Sequence, residues 1–186
     1  MNMNLPYLIK ELVLFTACGV FLGILGCSPR LTPLRESLRT EQGWGERDLS
    51  QIQFYLSEDL TLYRQRRDGR TLIEGGRVRL RDGREVVEYV FERGTPGLVL
   101  QQREGGRLAV GFEADESRFL IFGPNRKRDG LYTLLAKEWD RNEGTLTYAG
   151  QDWKVNARDA DVHLQLDLRR SGQTKVKRGK ASGRRL

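Results

Sequence analysis

Between Gln51 and Leu168 the apolar residues fall at alternate positions in short runs, separated by glycine-rich and charged punctuation. A period of two belongs to a strand with one face on a core. Gln51–Ser57 and Leu60–Gln65, parted by Glu58-Asp59, are the first two such runs. Arg67–Arg70 and Arg81–Arg84 each carry an Asp-Gly pair, which suits a two-residue hairpin turn because both central residues need positive φ. A turn at Asp82-Gly83 fixes a register in which Leu80 faces Glu85, Arg79 faces Val86, Val78 faces Val87 and Arg77 faces Glu88. Val78, Leu80, Val87, Tyr89 and Phe91 then share the core face, with Arg77, Arg79 and Glu88 on the other.

The same grammar continues. Gly94-Thr95-Pro96-Gly97 reads as a turn, and Leu98–Gln102 with Arg107–Phe112 as a hairpin around Glu104-Gly105-Gly106. Arg118–Phe122 is apolar on both faces, the mark of a buried strand, and Gly123–Gly130 is a charged loop. Leu131–Trp139 suits strand or helix. Thr145–Tyr148 and Asp152–Val155 form a hairpin around Ala149-Gly150 that brings Tyr148 near Trp153. Asp161–Leu168 is a closing strand with Val162, Leu164, Leu166 and Leu168 on one face and His163, Gln165 and Asp167 on the other. About nine to eleven short strands with no long helix predict an all-β fold, an antiparallel small barrel or sandwich. The stretch GTPGLVLQQREGGRLAVGFE, a glycine turn, an apolar strand, a second glycine turn and a strand ending in Phe112, resembles the strand–turn–strand core of SH3-like barrels.

Ahead of the strands the pattern differs. Leu12–Cys27, LVLFTACGVFLGILGC, is apolar and uncharged throughout. It is short for a membrane span, which needs roughly 20 residues, and suits the hydrophobic core of a signal peptide. Its end, Ile24-Leu25-Gly26-Cys27, resembles the lipobox of bacterial lipoproteins, with Cys18 in Thr16-Ala17-Cys18 a second, less central candidate. That resemblance implies cleavage before Cys27 and acylation of its thiol and new amino terminus. With Ser28 next in the chain, it implies the outer membrane of the cell envelope more than the inner. An uncleaved N-terminal anchor helix is the other reading of the same run. Removal of residues 1–26 would leave Cys27 as the only thiol, so the domain would have no disulfide and would rest on its core alone. Ser28–Gly45 then reads as a tether in which PLRESLRTEQ could form a short helix with Pro33 at its first position.

Charge changes the picture in two places. The net charge of +7 is concentrated: Arg169–Leu186 holds eight Lys/Arg and no acid, and Arg64–Arg84 holds eight arginines against Asp68, Glu74 and Asp82. The tail positions Arg169, Arg170, Lys175, Lys177, Arg178, Lys180, Arg184 and Arg185, with little to bury, read as a disordered segment suited to anionic lipid or lipopolysaccharide. An export signal argues against nucleic acid as the partner. Candidate chemistry is sparse. His163, the single histidine, stands on the polar face of its strand without an evident nucleophile or co-ligand. Glu113-Ala114-Asp115-Glu116 is acidic but lacks the glycine and ligand spacing of a calcium loop, and reads as a solvated turn. No cofactor is implied and no catalytic residue stands out.

The expected organisation is a signal peptide over 1–26, a lipidated tether over 27–45, a β-domain over 46–168 and a basic tail over 169–186. The expected role is a membrane-tethered, non-enzymatic binding or accessory module, held in the bilayer through acylated Cys27 and contacting a protein partner or anionic envelope components. An envelope hydrolase using carboxylates, or a structural subunit of an envelope machine, are the alternatives.

Overall fold

A computed structural model describes residues 30–65, 77–81 and 84–171, with the backbone alone at Arg79–Arg81, Arg84 and Ala160. Cys18, Cys27, the first RDGR turn, Asp82-Gly83 and the tail from Gly172 lie outside the described residues. The β-domain is one compact unit that begins at Leu31. Its strands are β1 (Thr32–Pro33), β2 (Gln53–Leu56), β3 (Leu60–Gln65), β4 (Arg77–Arg81), β5 (Arg84–Phe91), β6 (Pro96–Gln102), β7 (Leu108–Gly111), β8 (Phe119–Asn125), β9 (Leu131–Leu134), β10 (Glu138–Asp140), β11 (Glu143–Tyr148), β12 (Gln151–Asn156) and β13 (Leu164–Leu166). Three short helices accompany them: α1 (Glu36–Glu41), α2 (Glu46–Leu49) and α3 (Leu168–Ser171).

The strands form two antiparallel sheets, one ordered β1-β13-β2-β6-β7-β8-β9 and the other β10-β11-β12-β3-β5-β4. This is the all-β, sandwich-like arrangement expected from the alternating pattern. The GTPGLVL…GFE unit is the β6–β7 hairpin in the middle of the seven-stranded sheet. That sheet curls until its last strand returns to its first. The Tyr132 amide donates to the Leu34 carbonyl and the Leu134 amide to the Val162 carbonyl, with single bridges at Arg35–Leu131 and Thr133–His163 where a continuous ladder would be needed to close a barrel.

The alternation puts Phe54, Leu56, Val99, Leu108, Val110, Leu120, Phe122, Leu164 and Leu166 of one sheet against Leu60, Leu62, Val87, Phe91, Leu146, Trp153 and Val155 of the other. At the centre lies an aromatic cluster. Tyr89, Phe91, Phe112, Phe122, Tyr148 and Trp153 are linked by tilted and edge-on contacts with centroids 5.1 to 6.5 Å apart, the geometry that aromatic quadrupoles favour.

The β4–β5 register is the expected one at every pair, Arg77–Glu88 to Leu80–Glu85. Val87 is buried, but Val78 opposite it is 41% exposed, on β4, which among the described residues is the last strand of its sheet. The β11–β12 hairpin pairs Tyr148 with Gln151 across Ala149-Gly150, both turn residues having positive φ, and sets the Tyr148 and Trp153 rings 6.5 Å apart. Leu131–Trp139, ambiguous in sequence, is strand at both ends and irregular between.

Two stretches depart from the reading of the sequence. Between Leu31 and Gly45, read as a tether, the chain is built into the fold. Thr32 and Pro33 pair with Leu166 and Gln165, and Leu34 is wholly buried. Because the Leu34 amide bonds to the Leu164 carbonyl, Pro33 stays in an edge strand and the helix starts three residues later, at Glu36. At the other end β13 stops at Leu166. The buried Asp167 carboxylate accepts the Arg169 amide and turns the chain into α3, so Leu168 leaves the core face and is 36% exposed.

Candidate functional site

The most organised polar group in the domain sits where the aromatic cluster meets the β7–β8 connection. Glu113 comes directly after Phe112 in that connection. Its Oε1 accepts hydrogen bonds from the hydroxyls of Tyr89, on β5, and Tyr148, at the end of β11. Its Oε2 accepts from Arg118 at 2.8 Å, and the same guanidinium lies 3.3 Å from Asp115. Asp115 in turn holds the loop by accepting from the Ser117 amide at 2.9 Å and hydroxyl at 2.7 Å. One carboxylate thus joins both sheets: its chain belongs to the seven-stranded sheet and its two phenol donors to the six-stranded one.

The electrostatics reflect that geometry. Partial burial alone would raise the Glu113 carboxyl, but the donors Tyr148, Tyr89 and Arg118 hold it below its ordinary value. Burial and the Glu113 charge push the Tyr89 hydroxyl up to about 12, and the same two causes push Tyr148 higher still. Phenols held this firmly in the protonated form act as donors and are poor nucleophiles. Both Glu113 oxygens and both phenols are engaged with one another or with Arg118, an arrangement that joins the two sheets. In the sequence this carboxylate read as part of a solvated turn. The available signal was that two tyrosines on inward-facing strand positions need partners for their hydroxyls.

The other expected positions are dispersed. His163 is half-buried at the seam of the curled sheet. Its amide donates to Ser57 Oγ at 2.9 Å, Nδ1 lies 3.2 Å from the Asp161 carbonyl and Nε2 lies 3.4 Å from Gln165 Nε2. A proton on Nδ1 satisfies both neighbours. Burial, with the Arg128 and Arg35 charges nearby, keeps the imidazole below its ordinary pKa. Among the described residues no group of three His, Cys, Asp or Glu side chains is arranged to hold a metal ion. A broad, acidic surface hollow of about 520 Å³ is lined by Glu36, Ser37, Thr40, Glu41, Asp129 and Gly130. Of the Arg64–Arg84 arginines, Arg64 points inward, its guanidinium 4.8 Å over the Trp153 ring.

Arg169 and Arg170 are the two basic-tail positions within the described residues; Lys175, Lys177, Arg178, Lys180, Arg184 and Arg185 lie outside them, as does Cys27. Both arginines belong to α3 and lean on Asp167, with Nε to carboxylate distances of 3.5 and 3.8 Å. Their side chains are 65% and 77% exposed while that of Asp167 is 6% exposed, so the carboxylate is a buried post from which the two cations project outward.

One further surface is unusual. On the outer side of the β6–β8 hairpins, Leu98 and Leu100 are 45% and 38% exposed. Leu100 leans over Gly111 and Leu135 over Gly123, where a Cβ would meet their side chains at 3.0 and 2.7 Å. Arg103 lies 5.1 Å over the Phe119 ring beside them. Among the described residues no helix is long and apolar enough to cross a membrane.

No family model, no curated protein and no solved structure matches the chain.

Proposed function

We propose that the protein is an envelope lipoprotein, acylated at Cys27, whose β-domain is a non-enzymatic binding or accessory module held at a membrane surface, the outer membrane in preference to the inner. The observation that carries this reading is the Leu12–Cys27 run with its lipobox-like end, with the folded unit starting only four residues later at Leu31. Such spacing suits a domain carried close to its lipid anchor. The acyl chains supply the attachment, at about 0.8 kcal/mol per buried methylene.

A binding role, in preference to a hydrolytic one, is supported by the use to which the polar groups are put. The partly buried carboxylate of Glu113 is engaged with two phenols and a guanidinium, and the neighbouring Asp115 is tied to Ser117 and Arg118. The exposed apolar strip around Leu98 and Leu100 is the surface suited to a protein partner.

The test is the mass of the mature protein. Protein extracted from its own membranes should carry acyl groups on an N-terminal Cys27, and Cys27→Ala should abolish acylation and release or mislocalise the protein. Acylation persisting in Cys27→Ala moves the site to Cys18; a full-length, unacylated wild-type chain overturns the lipoprotein reading.

A further inference from the structure

The last strand of a sheet turns half of its backbone groups outward. Among the described residues β10 is such a strand, at the end of the six-stranded sheet away from β4. It pairs Glu138 with Thr145, Trp139 with Gly144 and Asp140 with Glu143, and the hairpin to β11 closes over Arg141 and Asn142 alone. In a two-residue hairpin the closing pair exchanges hydrogen bonds and the next pair does not. The Trp139 amide and carbonyl therefore point away from β11. Alternation sets Glu138 and Asp140 on one face and Trp139 on the other, and all three residues are exposed, Trp139 at 45%. Trp139 shares its row with Gly144 and the buried Val155. Its ring leans over Gly144, where a Cβ would meet it at 2.9 Å, so the ring stands at the rim of the core. The neighbouring lysines are engaged elsewhere: Lys137 with Asp152 at 2.7 Å and Lys154 with Glu143 at 3.2 Å. Among the described residues neither Glu138 nor Asp140 has a side-chain partner, and Arg141 in the turn pairs with neither.

We propose that β10 is a docking edge for an extended, basic segment of a partner protein, which adds as a further strand with cations opposite Glu138 and Asp140 and an apolar residue opposite Trp139. Outward-facing backbone groups on a strand are matched by another peptide backbone. The two carboxylates select the sign of the partner. A second copy of β10 laid antiparallel on the first would set Glu138 against Asp140, and like charges directly opposite are destabilising. The same charges that guard the edge against its own copy favour a strand with Lys or Arg at alternate positions. Between those cations a β-branched residue suits Trp139, because aromatic and β-branched side chains pair well across strands. The edge is three residues long, so the contact is transient, with Trp139 as its apolar anchor. This surface is separate from the Leu98–Leu100 strip. The proposal rests on the binding-module reading only in taking a protein as partner and does not involve the lipid anchor, so the mass of the mature protein and the binding test below fail independently.

The probe is a fluorescein-labelled peptide, acetyl-Lys-Val-Lys-Val-Lys-Val-Lys amide, titrated with the full-length protein and followed by anisotropy. Saturable binding is expected, about tenfold weaker in Trp139→Ala. It should weaken about tenfold or more in Glu138→Lys/Asp140→Lys, which should instead take the Glu-Val counterpart that the wild type refuses. Glu138→Gln/Asp140→Asn keeps the side-chain shapes and removes the charge, and should weaken binding of the basic peptide in the same direction. A basic peptide N-methylated at its valines cannot donate to the Trp139 carbonyl and should bind about tenfold more weakly. With the basic peptide bound, hydrogen exchange should slow over residues 136–148 and stay unchanged over Glu36–Glu41, beside the acidic hollow. No saturable binding, equal affinity for the basic and acidic peptides, full affinity in the Gln/Asn variant, full affinity of the N-methylated peptide, or protection over Glu36–Glu41 in place of 136–148 each overturns the proposal.

Discussion

Two tyrosine–carboxylate groups in this domain use the same chemistry in different surroundings. At the first, the Tyr89 and Tyr148 hydroxyls donate to Glu113, which Arg118 also holds. At the second, the Tyr63 hydroxyl donates to Glu143 at 2.5 Å and lies 3.3 Å from Asn156, while Lys154 stands 3.2 Å from Glu143. The cation and carboxylate of the first group are 25% and 21% exposed, those of the second 42% and 41%. The first spans the two sheets; the second lies within the six-stranded sheet, on the outer face of β3, β11 and β12. Shielding and topology, and not the donor–acceptor pairs, separate them. Removing the first group's acceptor leaves its phenols and guanidinium without it and loosens one sheet from the other, whereas at the second group, where Tyr63 is itself buried, Lys154 and Glu143 stay open to water and the loss is smaller.

The largest effect expected is therefore that of Glu113→Ala. It leaves two phenols and a guanidinium without their acceptor and should cost about 3 kcal/mol, lowering Tm by about 6–12 °C for a domain of this size. Glu143→Ala should cost about 0.5 kcal/mol. Equal losses in chemical denaturation would end the distinction. Next is Gly97→Ala, which removes no hydrogen-bonding group. A Cβ there would lie 2.5 Å from the Phe112 ring, and the clash should cost about 1–3 kcal/mol. Phe112 precedes Glu113, so Gly97→Ala should be non-additive with Glu113→Ala and additive within about 0.5 kcal/mol with Glu143→Ala.

Acid and alkali probe the same group without a substitution. Glu113 is held below its ordinary value in the folded protein. The stability this contributes is present above the unfolded value, about 4.3, and is lost as pH falls through the lower folded one. Tyr89 is raised to about 12, so its contribution is complete below the unfolded value of about 10 and is lost as pH climbs towards 12. Denaturant midpoints against pH should show both flanks in the wild type. Glu113→Gln should flatten the acid flank; an unchanged acid flank would assign it to other carboxylates.

The fold was largely legible from alternation and turns because those are local. The β4–β5 register comes from one Asp-Gly pair, and the Tyr148–Trp153 neighbourhood from Ala149-Gly150. The illegible features depend on contacts distant in sequence. Nothing near Leu31–Gly45 reveals that Leu34 is pinned between Leu164 and Tyr132, about a hundred or more residues away in the chain. Glu113 reads as a solvated loop acid until Tyr89 and Tyr148 are brought to it from strands 24 and 35 residues off. Even the pairing of β1 with β13 is invisible in one dimension.

The smallest predicted difference makes the sharpest test of the comparison, because it changes one oxygen atom in each group. Tyr148→Phe removes a hydroxyl that shares Glu113 Oε1 with Tyr89 on a ring that is 1% exposed; it should cost about 1–1.5 kcal/mol. Tyr63→Phe removes a hydroxyl whose acceptor, Glu143, retains Lys154 and access to water, and should cost about 0.5 kcal/mol. The rings stay, so packing is held nearly constant. If shielding is what separates the groups, raising the salt to 1 M should leave the Tyr148→Phe loss intact, because its partners are sheltered from ions. It should reduce the Tyr63→Phe loss, whose neighbouring Lys154–Glu143 pair is open to screening. Two losses of equal size and equal salt dependence would show that the sheet-spanning position of Glu113 adds nothing to the bond itself.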